Sequence, residues 1–216
     1  MNALNELTNR HLLIVGQTGS GKTTSTLTLL DQLQNSGQAN VVLDPTGEYA
    51  QLPNAIVYRL GKNAYLEPGE FSAAQLVEAL GLQFNEQLIV AVTSAINDLR
   101  IQNNLLNHPG CYQRINQPVA DHQQTLAKLG RWSKSYAVQL LPDQLIEELV
   151  VPYADQRANY HLLGQEYNRQ LIASVWPKII QLREILASPA IRELFGTIHQ
   201  PQKVKTELNF VLQMFL

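Results

Sequence analysis

Three short apolar runs separated by polar and glycine-rich segments mark the start of the chain, at residues 11–15, 41–43 and 55–60. An apolar run without polar alternation is typical of a strand buried on both faces of a parallel sheet. Between the first two runs, leucines recur every three positions over residues 22–35, and Ser36-Gly37 follows as a helix stop. The pattern predicts a βαβ unit with a right-handed crossover.

Beyond about residue 70 the hydrophobic period changes to between three and four, which predicts helices. Ser72 and Gln75 have the spacing of a capping box, which opens a helix that ends at Gly81. Further helices are predicted at residues 86–106, 123–140 and 143–150. A segment rich in Leu and Ile follows at residues 159–186, where Pro177 either kinks one helix or separates two.

Composition narrows the classes of protein. Apolar residues make up 45% of the 216 residues, charged residues 16%, and the net charge is −2. With this net charge, we do not expect the protein to bind nucleic acid or anionic lipid through its overall charge. A polyanion would have to bind at a local basic patch. Cys111 is the only cysteine, and the sequence has neither a leader pattern nor a run of about 18 apolar residues. We therefore expect a cytoplasmic protein that is not attached to a membrane.

The first glycine-rich segment carries the strongest chemical signal. Residues 16–23 read Gly-Gln-Thr-Gly-Ser-Gly-Lys-Thr and match the phosphate-binding loop G-x-x-x-x-G-K-[ST] at every fixed position. Its glycines let backbone N–H groups face phosphate oxygens, and the following helix adds its N-terminal dipole. We expect Lys22 to contact the β- and γ-phosphates of ATP and the Thr23 hydroxyl to bind Mg²⁺. The predicted nucleotide site comprises Gly16, Gln17, Thr18, Gly19, Ser20, Gly21, Lys22, Thr23 and Thr24.

Two carboxylates, Asp44 and Glu48, follow the second apolar run. Open α/β folds bind ligands at the carboxyl ends of their strands. There, Asp44 can orient a metal-bound or attacking water and Glu48 can polarise it. Asp-Pro and Thr-Gly pairs are also ordinary turn formers, so the spacing leaves turn formation open as well. Together with Lys22, these two residues are the candidate catalytic residues.

The segments LLIVGQTGSGKTTSTLTLL (residues 12–30) and NVVLDPTGEYAQL (residues 40–52) resemble the opening of HerA-type ATPases, DNA-translocating motors related to FtsK. The resemblance implies an α/β P-loop NTPase with a RecA-like βαβ core and a large helical insertion. It also implies a hexameric ring of identical subunits that hydrolyses ATP at its interfaces, with Asp44 and Glu48 near the nucleotide. Double-stranded DNA and a nuclease or sirtuin-type protein are the implied partners.

Motors of this type also need an apolar strand ending in Asp-Glu, and the sequence contains no such pair. We therefore expect an incomplete sheet and a truncated or split part of a longer ATPase. Residues 1–70 then form the first part of the nucleotide-binding core, residues 71–196 the helical insertion, and residues 197–216 a segment returning towards the core. ATP hydrolysis is expected of the complete assembly, and little or none of this chain alone.

Two other functions remain open at this stage. A nucleotide-binding interaction subunit would hold ATP without hydrolysing it, which the missing Asp-Glu pair favours. A P-loop nucleotide or small-molecule kinase would need a cluster of arginines over the phosphates, whereas the sequence has scattered ones.

Basic and aromatic residues after position 100 give weaker signals. Arg131, Trp132 and Lys134 mix charge with an aromatic ring, as in single-strand-binding proteins. The lack of a basic cluster favours a solvated helix face with a packed tryptophan. The same prediction covers Arg100 and Arg114, which otherwise could contact DNA or a neighbouring subunit's phosphate.

The cysteine and the histidines are the remaining candidates for reactive or metal-binding residues. We expect an inert thiol at Cys111, which has no obvious basic neighbour. The separated histidines share no metal-ligand spacing and are expected on helix surfaces or in loops. They are His108, His122, His161 and His199.

Overall fold

The computed structural model describes residues 12–197 and 206–215. The chain divides into two compact units, and their boundary lies between Tyr58 and Arg59. The described residues up to Tyr58 are called the N-terminal unit, and Arg59–Met214 is called the helical unit.

The N-terminal unit contains one helix, α1, which spans Lys22–Asn35 as the leucine spacing predicts. Gly21 precedes it with a φ of 86°, a left-handed conformation that glycine adopts at little cost. The helix ends at Ser36, whose N–H donates to the carbonyls of Gln32 and Leu33. The start and end of this helix are therefore set by residues at its own termini.

The three predicted strands are not formed, which corrects the expected βαβ sheet for the described residues. Residues 12–15, 41–43 and 55–59 belong to no strand, Leu60 makes one isolated bridge to Ala64, and His11 lies outside the described residues. Leu13 and Leu43 are 82% and 86% exposed. A strand of a parallel sheet exists only with hydrogen-bonded neighbours and with cover on both faces. Around residues 12–15 and 41–43, the described part of the chain supplies neither.

The helical unit is built mainly from α-helices. They are α2 (Ala73–Ala79), α3 (Glu86–Asn104), α4 (Val119–Leu126), α5 (Leu141–Glu147), α6 (Arg169–Ala187), α7 (Pro189–Leu194) and α8 (Leu208–Phe215). Two-residue strands form two small pairs: β1 (Ala64–Tyr65) runs parallel to β4 (Thr206–Glu207), and β2 (Val150–Val151) runs antiparallel to β3 (Glu166–Tyr167). The described chain is therefore mixed α/β, with helices predominating.

Local capping and one apolar core explain this arrangement. At α2 the predicted capping box is formed: the Gln75 N–H donates to Ser72 Oγ at 3.3 Å, and the Ser72 N–H donates to Gln75 Oε1 at 2.9 Å. The core lies between α3, α5 and α6, where Leu99, Leu145 and Leu182 are almost completely buried. These helices bury the apolar faces that their sequence periodicity predicts.

Two predicted helix boundaries are wrong. The helix expected at residues 123–140 is α4, which ends at Leu126, and a separate 3₁₀ turn at Val138–Leu140. Within residues 127–137 the carbonyls of Gly130, Ser133 and Ser135 accept hydrogen bonds from side chains of α3, so these three groups are satisfied without a helix. The segment expected from residue 159 becomes helical only at Arg169, after Asn168 caps the N–H of Leu171 at 3.0 Å. From there α6 continues through Pro177 as one helix.

None of the helices in the described part of the chain combines the length and the apolarity that crossing a bilayer requires.

Candidate nucleotide-binding site

The glycine-rich loop before α1 has a shape that depends on its glycines. Gly19 and Gly21 have φ values of 82° and 86°, where side chains other than glycine are strained. A Cβ atom at Gly16 would overlap Ser20 Oγ. The Ser20 N–H closes the turn by donating to the Gln17 carbonyl at 3.1 Å. Each glycine of the motif therefore serves a turn or a close approach within the loop.

The Lys22 ammonium group lies against the start of this loop. Its Nζ atom donates to the carbonyls of Gly16 at 2.9 Å and Gln17 at 2.8 Å. An ammonium group has three N–H donors, so two are used within the loop and one is left for another acceptor. At the helix terminus, Gly21 has no side chain that could cap the first turn of α1. A positive charge and N–H donors thus lie within one short segment, which suits an anion.

The structure brings together Thr23 and Glu48, which are 25 positions apart. The Thr23 hydroxyl donates to Glu48 Oε2 at 2.7 Å. The predicted metal-binding hydroxyl and one predicted catalytic carboxylate therefore share one location. Thr24, the last residue of the predicted site, is exposed, and its carbonyl accepts a hydrogen bond from the Thr28 hydroxyl at 3.0 Å.

Asp44 binds the backbone of its own turn. Its Oδ1 atom accepts from the N–H and hydroxyl of Thr46 at 3.0 and 2.8 Å and from the Gly47 N–H at 2.7 Å. Its Oδ2 atom accepts from the Tyr49 N–H at 2.8 Å. Desolvation disfavours the ionised carboxylate, but these hydrogen bonds outweigh it and lower the pKa of Asp44. Asp44 thus shapes the loop that carries Glu48.

Three basic residues considered for DNA or phosphate contacts are engaged within the helical unit, so the predicted solvated helix face is wrong for them. Arg100 donates to backbone carbonyls, Arg114 contacts Asp98 and Glu148, and Lys134 pairs with Glu70 at 2.6 Å. Trp132 was expected to be packed, but it lies in a loop and is 68% exposed. The backbone carbonyls and buried acidic groups that bind these cations come from distant parts of the chain, which helical periodicity does not reveal.

A buried histidine was missed by the sequence analysis. His122 is 7% exposed and shares a hydrogen bond of 2.6 Å with Asp98, which is fully buried on α3. The expectation of a surface histidine is therefore wrong at this position. One sequence signal pointed to a buried Asp98: it lies three positions from Ala95 and from Ile101, which are also buried on α3.

The other histidines that the structure describes and the thiol show no metal-binding arrangement. His108 bonds to Gln102 at 3.1 Å, His161 is exposed, and His199 lies outside the described residues. Within residues 12–197 and 206–215, no group of three or more His, Cys, Asp or Glu side chains is placed to hold a metal ion. Burial raises the pKa of Cys111 to about 11, which agrees with an inert thiol.

The described parts of the candidate site are thus a glycine-rich loop that opens α1 and an acidic loop that contacts it through Glu48 and Thr23. A family model described as "Helicase HerA, central domain" matches residues 2–125, which is more than half of the chain. The chain therefore belongs to the family of HerA-type ATPases. No curated protein and no solved structure matches it significantly.

Proposed function

We propose that this chain supplies the ATP-binding part of a HerA-type motor, which couples ATP hydrolysis to translocation of double-stranded DNA. The observation that carries the proposal is the hydrogen bond between Thr23 and Glu48, because it joins the phosphate loop to the acidic loop. Membership of the HerA family supports the same function. In this proposal the motor is a ring of identical subunits, residues 1–70 belong to a RecA-like core, residues 71–196 form a helical insertion, and residues 197–216 return towards the core.

The residues of the N-terminal unit fit a nucleotide with Mg²⁺. The loop of residues 16–21 has the close backbone approach and left-handed glycines that enclosing a phosphate requires. Lys22 retains a donor for phosphate oxygens, and the oxygens of Thr23 and Glu48 are of the type that Mg²⁺ prefers. When bound, the ion neutralises negative charge on the phosphates.

Three side chains have distinct roles in the proposed reaction. Lys22 binds the phosphates, and Glu48 orients the attacking water and takes up its proton. Asp44 is a positioning residue, because both its oxygens hold the turn that leads to Glu48. A kinase would need a cluster of arginines over the phosphates. Arg100 and Arg114 bind groups of the helical unit, and this disfavours the kinase alternative.

The first experiment measures MgATP binding to the chain by calorimetry. We expect Lys22→Ala to weaken binding by more than about tenfold, since a charge-assisted contact to phosphate is worth roughly 1.5–3 kcal/mol. Lys62→Ala, which removes an exposed lysine from the helical unit, is the matched control and should bind like the parent. Equal affinity of the Lys22→Ala variant and the parent would contradict nucleotide binding at this loop.

The second experiment measures ATP turnover with and without duplex DNA in the complete assembly that contains the chain, since little or no turnover is expected of the chain alone. Turnover that duplex DNA raises supports the motor, and Glu48→Gln should abolish the increase while leaving MgATP affinity within a few-fold. Binding without DNA-stimulated turnover supports the interaction subunit instead. Turnover that depends on a small phosphate acceptor supports the kinase. Equal turnover of the parent and Glu48→Gln would mean that Glu48 contributes to turn formation and not to catalysis.

A further inference from the structure

The loop between α4 and the turn at residues 138–140 presents a tryptophan to solvent. Trp132 is 68% exposed, although its indole ring is among the side chains that gain most from burial. A single exposed apolar side chain is common on protein surfaces and needs no explanation by itself. The way in which this loop is held, and the charges beside it, distinguish Trp132 from such a residue.

Side chains of α3 fasten the backbone on both sides of Trp132. Arg100 donates to the Gly130 carbonyl at 3.1 Å and to the Ser133 carbonyl at 2.7 Å. Asn104 donates to the Ser135 carbonyl at 2.8 Å. These bonds hold the loop against a helix of the core, so a ligand that contacts Trp132 need not order the loop first. Preorganisation of this kind lowers the entropic cost of binding.

The indole ring itself has a defined position against the backbone of the loop. A Cβ atom at Gly130 would lie 2.9 Å from both Cδ1 and Nε1 of Trp132, so the absence of a side chain lets the ring lie against the backbone. The Gly130 N–H donates to Ser133 Oγ at 2.9 Å and closes the turn beneath the ring. One edge of the indole is therefore supported, while most of its surface faces solvent.

Every charged side chain within residues 128–134, the sequence around Trp132, is positive. Lys128 and Arg131 are exposed, and neither forms an ion pair with a carboxylate in the part of the chain that the structure describes. The next basic residue, Lys134, is neutralised by Glu70 at 2.6 Å. A fixed aromatic ring with two free cations suits a polyanion that also offers flat rings. Unpaired nucleotides have both groups, whereas the bases of a duplex stack on each other and are not available to an indole.

We propose that Trp132, Lys128 and Arg131 form a binding platform for single-stranded nucleic acid. An unpaired base stacks on the indole of Trp132, and the two cations contact the neighbouring phosphates. Every base has a π-face, so the platform has little sequence preference. The platform requires no nucleotide in the phosphate loop and does not depend on the proposed ATPase function.

The test is fluorescence anisotropy with a labelled 12-nucleotide oligo(dT), the matching duplex and oligo(U), at low salt and without ATP. We expect Trp132→Ala to weaken single-strand binding by about tenfold, within the range measured for loss of one stacked base. Trp132→Phe should keep most of the affinity, because phenylalanine retains a π-face. Trp176→Ala removes the other tryptophan, which is 42% exposed on α6, and should stay within about twofold of the parent.

Salt dependence tests the two cations separately. Lys128→Ala and Arg131→Ala should each lower the slope of log K against log salt by about 0.7, the value for one single-strand phosphate contact. Binding of either oligo(dT) or oligo(U) supports the platform, and the tighter of the two identifies DNA or RNA as the ligand. Lys22→Ala should bind both as the parent does, which separates this test from that of the ATP site.

Three results would overturn the proposal. One is equal affinity of Trp132→Ala and the parent for single strands. Another is duplex binding as tight as single-strand binding and equally sensitive to Trp132→Ala. The last is a change in oligomeric state on Trp132→Ala with no single-strand binding by the parent, which would assign Trp132 to a protein contact. Thermal unfolding of each variant of the helical unit should give the midpoint of the parent, because the substituted side chains are exposed.

Discussion

Asp98 is the centre of a buried ion network in the helical unit. One of its oxygens shares a hydrogen bond of 2.6 Å with His122, and the other accepts from Arg114 at 2.8 Å. Arg114 also pairs with Glu148, whose other oxygen accepts from Gln144 at 3.1 Å. Buried charges persist where they are paired and hydrogen-bonded. The network therefore ties α3, α4 and α5 together through hydrogen bonds between polar side chains, with the ion pair of Asp98 and Arg114 at its centre.

The protonation of Glu148 should make the stability of the helical unit depend on pH. Desolvation and the nearby charge of Asp98 raise the pKa of Glu148 from 4.5 to about 8, although Arg114 opposes the rise. The unfolded state releases this proton near pH 4.5 and the folded state near pH 8, so the folded state binds more protons between these values. The contribution of Glu148 to stability is therefore fully present below pH 4.5 and is lost as pH rises towards about 8.

Glu148→Gln tests this dependence, because glutamine keeps a hydrogen-bonding side chain but cannot ionise. We expect thermal unfolding midpoints of the parent to fall between pH 5 and 8, and those of Glu148→Gln to fall clearly less. Glu184→Gln, an exposed residue on α6, is the matched control and should follow the parent. Parallel profiles for all three proteins would show that Glu148 is ionised in the folded state at neutral pH.

At the scale of elements, α6 tolerates an unfavourable residue. It runs from Arg169 to Ala187 with Pro177 in its interior. Proline has no N–H, so it cannot donate to the carbonyl of Ala173 one turn earlier. The buried residues Ile179, Leu182 and Leu186 lie beyond the proline and anchor the second half of the helix in the core. Tertiary packing therefore outweighs the local preference for a break.

Pro177→Ala should stabilise the helical unit, because alanine restores the missing donor at an exposed position. Equilibrium unfolding in urea should show a gain of about 1–3 kcal/mol, bounded by the cost of proline in a helix interior. Pro189→Ala is the control at the start of α7, where proline suits the first turn, and should give no gain. Equal effects of the two substitutions would mean that Pro177 is not strained in α6.

At the scale of the whole molecule, the two units differ in how much of their backbone is hydrogen-bonded within helices and strands. The helical unit buries the core between α3, α5 and α6. In the N-terminal unit, residues 12–15 and 41–43 belong to no helix or strand, and their apolar side chains are 36% to 86% exposed. Backbone amides outside helices and ladders exchange with solvent more readily. The stability of the described chain is therefore concentrated in the helical unit.

Hydrogen–deuterium exchange should report this difference. Peptides covering residues 12–15 and 41–43 should exchange within seconds, whereas peptides from α3, α5 and α6 should stay protected for far longer, because their amides open only with the core. Leu145→Ala provides the internal control. It should lower the stability of the core by about 2–5 kcal/mol and speed exchange in these helices. Similar protection in both regions would show that the apolar runs are paired in solution.

Short-range features were determined by the sequence itself. Gly21 and Ser36 fix the ends of α1, and the capping box of Ser72 and Gln75 begins α2, because each depends on residues a few positions apart. The family and the phosphate loop were likewise evident from contiguous residues. These features need no knowledge of what the rest of the chain does.

The tertiary structure alone decided which distant residues meet. It joined Thr23 to Glu48 across 25 positions and His122 to Asp98 across 24, and it exposed Trp132 on a loop held by Arg100. Residues 12–15 and 41–43, predicted as strands, form no strand for the same reason. A strand needs a hydrogen-bonded neighbour from elsewhere in the sequence, and a run's own composition cannot specify that partner.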